Sequence, residues 1–216
     1  MPRISAGIFR LLLLCSAVPA VAGTISVQAM LANHEPFAGA VVTVSAAATH
    51  APVAPVSAIV DQINLAFVPD IIVVPVGSTV EFPNSDSVSH QIYSFSPTKR
   101  FQLPLYHGKP YPPVHFDQAG VVTLGCNIHD RMVGYIVVTD ATYFGRTDAR
   151  GIWSATNVPR GTYHVSLWHP LLRDTGASLD RDVSVTGDES KNITVQLAQA
   201  LRPAPLQATA RSRDQY

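Results

Sequence analysis

Three residues with soft or borderline donor atoms follow one another at three-residue steps in this chain. They are Cys126, His129 and Met132, in Cys126-Asn127-Ile128-His129-Asp130-Arg131-Met132. A thiolate, an imidazole and a thioether suit copper, in a site where two histidines and a cysteine form a trigonal plane and a methionine sulfur sits weakly on the axis. The second imidazole must come from elsewhere. His90 supplies it, in Phe82-Pro83-Asn84-Ser85-Asp86-Ser87-Val88-Ser89-His90, thirty-six positions before the cysteine. Zinc also accepts Cys and His. A methionine donor, with no second cysteine in the pattern, favours copper.

The redox compartment bears on the thiol. Residues 1–22 read as a secretory signal: Arg3 and Arg10 form a charged start, Leu11 to Val18 an apolar centre, and Ala20-Val21-Ala22 a small-residue cleavage site. The apolar run is shorter than the ~18 residues that a membrane span needs. This predicts export to the periplasm and no membrane span. Cleavage removes Cys15, one of the two cysteines. Cys126 is then a lone thiol in a compartment where cysteines usually pair, and its neighbours favour the role of metal ligand. Of fifteen basic residues the signal takes two, leaving thirteen against fifteen acidic ones, and no Lys/Arg run marks a nucleic-acid surface.

The elements that must hold these donors read as strands. Short Val/Ile/Thr/Tyr runs alternate with Gly, Pro, Asn and Asp, and seventeen prolines disfavour helices. The fold class is therefore all-β. Residues 23–50 contain strands over Thr24–Met30 and Ala40–Ser45, and a Pro/Ala linker follows at 51–55. The metal-bearing segment is 56–140, with a strand leading into Cys126 and another running on from Met132. Residues 141–198 carry strands around Thr147–Trp153 and Asn157–Leu167, joined by a Pro-Gly turn, and a last strand over Asn192–Leu197. A Pro/Ala/Arg tail at 199–216 is expected to be disordered.

Segment 56–140 resembles the cupredoxins, most closely the amicyanin-like group with its short ligand loop. The resemblance rests on Phe67-Val68-Pro69-Asp70 through Glu81-Phe82, on Asn84 six residues before His90, on Phe116-Asp117-Gln118-Ala119-Gly120 through Gly125-Cys126, and on Met132 through Val138. It implies a Greek-key β-sandwich and one mononuclear type 1 copper held by His90, Cys126, His129 and Met132. It also implies that Asn84 ties the two ligand loops together, and that backbone N–H groups near Ser85 hydrogen-bond the cysteine sulfur. Two departures stand out: Ile128 occupies the position before the loop histidine where the family usually has proline, and Gln91 follows the first histidine in place of asparagine.

Segment 141–198 resembles the carboxypeptidase regulatory-like, transthyretin-like β-sandwich, through Thr147-Asp148, Gly151 and Trp153 followed by Val158-Pro159, Gly161, Tyr163 and Val165. Pro36, Gly39-Ala40, Val42 and Val44 resemble the opening strands of the same module. Two strands alone cannot bury a core. The expectation is one smaller immunoglobulin/transthyretin-like sandwich, split by insertion of the cupredoxin between its second and third strands; a tandem arrangement is the alternative. Chains of this layout resemble bacterial proteins labelled methylamine-utilisation proteins.

The resemblance implies a periplasmic carrier of single electrons between redox proteins, with a cytochrome or a dehydrogenase as partner. Two other roles use the same chain: copper binding and delivery, or a structural sandwich module. An enzyme is not expected. Cys126 lies between Gly125 and Asn127, not beside the histidines that link such a cysteine to a trinuclear copper cluster, and no Ser/His/Asp set or carboxylate pair stands out.

Overall fold

Ile25, Val27 and Ala29 are fully buried along β1 (Ala22–Met30), while Thr24, Ser26 and Gln28 between them are half-buried. This period of two is that of an extended strand with one face in a core. The computed structural model describes residues 22–48, 52–108, 110–172 and 180–197, all of it strand and connecting loop. Most of the signal reading and the whole of the tail, 199–216, lie outside the described residues. Ala22 opens β1. Among the described residues no helix is long and apolar enough to cross a membrane.

One pair of sheets draws on both ends of the chain. β1 lies between β14 (Ile152–Pro159), antiparallel to it, and β17 (Ser190–Gln196), parallel to it. The facing sheet has the order β13 (Tyr143–Arg146), β2 (Val41–Ala46), β15 (Gly161–Trp168) and β16 (Arg181–Val185). Ile25, Val27, Val42, Val44, Tyr163 and Leu167 form the core between the sheets. Among the described residues β1 and β2 do not pair with each other, and no strand between residues 57 and 139 hydrogen-bonds to either. β14 starts later than the pattern around Thr147–Trp153 predicts. The Asp148 carboxylate accepts the N–H groups of Arg150 and Ile152 at 2.9 and 2.8 Å, closing a turn that ends on Gly151 at φ 73°.

The middle segment forms a second pair of sheets. β6 (Ile71–Pro75), β12 (Val133–Thr139), β11 (Gly120–Gly125), β8 (His90–Ser94) and β9 (Phe101–Tyr106) make a five-stranded sheet in that order. β10 (Val114–Phe116), β7 (Ser78–Glu81) and β3 (Ser57–Ile59) make the other. Val80, Phe82, Ile92, Phe116, Leu124 and Ile136 fill the core they share. A hairpin of β4 (Asp61–Ile63) and β5 (Ala66–Val68) forms a two-stranded sheet of its own and contributes Phe67 to that core. Its two-residue turn, Asn64-Leu65, has φ of 52° and 61°, the left-handed pair that a tight hairpin of right-handed twist demands. Asn tolerates that conformation; Leu normally does not.

The two cores meet across a third apolar cluster, Val41 against Ile71 and Val137, flanked by Tyr135 and Trp168 edge to face at 5.7 Å. Arg146 links the same surfaces. Its guanidinium donates to Gly39 O at 3.1 Å on one side and to Ile71 O at 3.0 Å on the other, with Asp70 Oδ1 at 3.4 Å.

Candidate metal centre

The antiparallel ladder of β11 and β12 runs from Gly120 opposite Val138 to Gly125 opposite Val133. Everything between Gly125 and Val133 is therefore a loop at one end of the sheet, and that loop contains Cys126, His129 and Met132. Its last turn is closed by the Met132 N–H donating to His129 O at 2.9 Å. His90 opens β8, opposite Tyr106 on β9, at the same end of the sheet, because β8 pairs with β11 through Tyr93 and Gly125.

The geometry is that of convergent donors. His90 Nδ1 and His129 Nδ1 are 3.1 Å apart, and Cys126 Sγ lies 3.9 Å from the first and 3.7 Å from the second. The donor atoms of these three residues all fall within 4.8 Å of one another, and no other His/Cys/Asp/Glu group among the described residues is so arranged. His90 is fully buried and Cys126 nearly so; His129 is half-buried and is the solvent side of the group. Met132 is 2 % exposed and belongs to the same core cluster as Cys126. Cys126 has no disulfide. Burial, and then the neighbouring His90, hold the His129 imidazole below its ordinary range, which keeps its lone pair available. Two imidazoles and a thiol converging in an apolar setting, with a buried thioether in the same loop, fit a monovalent or divalent copper ion better than a hard cation.

The supporting residues divide the work. Asn84 is 4 % exposed and its side-chain amide donates to Val88 O at 3.0 Å and Tyr106 O at 2.9 Å, tying the loop before His90 to β9. Ser85 is engaged elsewhere. Its N–H donates to Asp61 Oδ1 at 3.1 Å and its hydroxyl to Asp61 Oδ2 at 2.7 Å, so this N–H meets a carboxylate, the stronger acceptor, and not the Cys126 sulfur. Tyr106 lines the buried side. Its hydroxyl donates to Phe82 O at 2.6 Å and accepts from Gln62 Nε2, and burial, with the charge of Asp61 adding, pushes it up to about 12. His107 and His115 are exposed and stand outside the donor group.

Asp86 carries a role the sequence pattern did not single out. Its Oδ2 lies 3.0 Å from His90 Nε2 and accepts the Leu65 N–H at 2.7 Å, while Oδ1 accepts the Ser87 N–H at 2.8 Å. Burial raises its carboxyl, but the bonds from Leu65, His90 and Ser87 outweigh that and hold it below the usual range. The signal available in sequence was a carboxylate four residues before a histidine in a Ser-rich loop. A carboxylate does therefore adjoin the site, behind His90 and outside the donor group.

No protein-family model and no curated protein matches this sequence. Solved structures do resemble part of it, among them cupredoxins and a copper-containing nitrite reductase. A purple cupredoxin from Nitrosopumilus maritimus is 28% identical over 38% of this chain and 99% of its own, with a TM-score of 0.35. A copper-containing nitrite reductase from Thermus scotoductus is 28% identical over 45% of this chain and 25% of its own, with a TM-score of 0.36. A reduced Cu(I) form of an amicyanin variant is 22% identical over 45% of this chain and 99% of its own, with a TM-score of 0.35. Each likeness extends over less than half of this chain.

Proposed function

We propose that this protein is a periplasmic one-electron carrier with a single type 1 copper centre that would be held by His90, Cys126, His129 and Met132, and that it is not an enzyme. One observation supports this above the rest: a lone buried thiol shares a 4.8 Å space with two imidazoles. Copper there supplies exchange of one electron between its monovalent and divalent states. The chain's own contribution is rigidity. The sheet end fixes Cys126 and His90, Asn84 locks the loop before His90, and the Met132–His129 turn sets the ligand loop. Donors that barely move between the two oxidation states keep reorganisation small, and half-buried His129 offers the short path to a redox partner, a cytochrome or a dehydrogenase.

In this reading the residues 56–140 form a cupredoxin domain inserted into a carboxypeptidase regulatory-like sandwich made of 23–50 and 141–198. The pairing of β1 with β14 and β17, and of β2 with β13 and β15, supports that arrangement. The resemblance to methylamine-utilisation proteins names no donor or acceptor. The test is the visible spectrum of Cu(II)-loaded protein. An intense thiolate-to-copper band that Cys126→Ser abolishes, with a reversible midpoint potential, is the expected result. A colourless Cu(II) protein rules the reading out.

A further inference from the structure

We propose that Asp86 is the positioning residue of the metal centre: its carboxylate takes the Nε2–H of His90, which turns the Nδ1 lone pair toward Cys126 and His129, and its charge favours the oxidised ion. The proposal rests on the copper reading above and deepens it. A neutral imidazole carries one ring proton, so whichever nitrogen donates a hydrogen bond leaves the other as a ligand. Asp86 Oδ2 sits 3.0 Å from Nε2, and a carboxylate oxygen is an acceptor. The proton therefore belongs on Nε2. Nδ1, 3.1 Å from His129 Nδ1 and 3.9 Å from Cys126 Sγ, is left bare.

The carboxylate is itself held in place from the β4–β5 hairpin. The oxygen that meets His90 also accepts the Leu65 N–H at 2.7 Å, in the β4–β5 turn where Leu65 stands at φ 61°. Oδ1 takes the Ser87 N–H, and the Asp86 N–H donates to Asn84 Oδ1 at 3.1 Å. The side chain is 9 % exposed, so its charge acts on His90 through little water. A left-handed leucine in a hairpin turn is a costly conformation. Here it presents an N–H to the one carboxylate that orients a donor, and the hairpin acts as a bracket for the His90 side of the centre. Polar partners of metal-bound histidines fix ring orientation and raise ligand basicity, and their removal lowers metal affinity about 10–100-fold.

Two measurements on the full chain test this. In metal-free protein at mildly alkaline pH, nitrogen–proton correlation spectra of the imidazoles should show His90 protonated on Nε2 and bare on Nδ1. The Nδ1–H tautomer in the wild-type protein overturns the proposal without touching the copper reading. In copper-loaded protein, Asp86→Asn keeps the shape and removes the charge. The ratio of Cu(II) to Cu(I) affinity should fall about tenfold, equivalent to a rise of about 59 mV in the one-electron midpoint potential, with the thiolate band retained. Asp86→Glu should restore most of the wild-type value. An unchanged potential in a folded Asp86→Asn protein overturns the proposal. Loss of colour in the wild-type protein overturns the copper reading, and the tautomer of His90 then still decides the role of Asp86.

Discussion

The ring of Tyr93 occupies the space that a side chain at position 125 would need: a Cβ on Gly125 would stand 2.6 Å from Tyr93 Cζ. Contacts under 3 Å between carbon atoms are repulsive, so a side chain at position 125 forces the Tyr93 ring to move. Gly125→Ala should destabilise the protein by about 1–3 kcal/mol, as overpacking does, and shift the thiolate-to-copper band by displacing Cys126. Tyr93→Leu in the same chain should recover part of both effects. Denaturant melts of the two single variants and the double variant, together with the spectrum, check the coupling.

His169 gives the joint between the two cores a dependence on pH. Its ring meets Phe37 edge to face at 4.8 Å, and burial, followed by the charge of Arg146 and opposed by Asp70, pulls its pKa from 6.5 to about 4. The folded protein thus keeps His169 neutral where the unfolded chain takes up a proton. The unfolded state binds more protons between about 6.5 and about 4, so stability falls as pH falls through that window and is unaffected by this group above it. His169→Gln should flatten this part of the stability–pH curve relative to wild type. Identical slopes in the two proteins would show that the joint does not sense this proton.

Ile128, beside His129 in the ligand loop, is 51 % exposed. Under the electron-carrier reading this side chain lies where a partner approaches the half-buried imidazole. Ile128→Glu should leave the copper spectrum unchanged. It should slow electron self-exchange severalfold, because two copies then meet charge to charge, and added salt should recover much of the rate. Line broadening in mixtures of oxidised and reduced protein measures it. A rate unaffected by the substitution would place the electron path elsewhere.

The meeting of Cys126, His129 and His90 was legible because two of them stand one three-residue step apart in one loop and the third lies in a loop that the same resemblance brings along. The all-β class was legible from alternation such as Ile25, Val27 and Ala29. Other features were hidden for physical reasons. Asp86 reads as one more polar loop residue, since what makes it special is an N–H donor twenty-one positions away in the hairpin turn. That the Ser85 N–H turns to Asp61 was hidden because this acceptor is distant in sequence. β16 carries Arg, Asp and Ser on a mostly exposed edge and has little apolar periodicity to detect. β13 buries no residue fully and owes its place to pairing with β2.

The position of β1 has a consequence for the order in which the molecule takes shape. Both of its neighbours, β14 and β17, are made more than a hundred residues after it, whereas the last strand of the sheet that positions Cys126 and His90 ends at Thr139. As the chain emerges from amino to carboxyl end, every strand around Cys126 and His90 is available while β1 still has an empty edge on either side. Long-range pairings close late, because the loop entropy must be met before the contacts exist. Cys126, His129 and His90 can thus converge before the surrounding sandwich closes, and β1 is among the last strands to find its place.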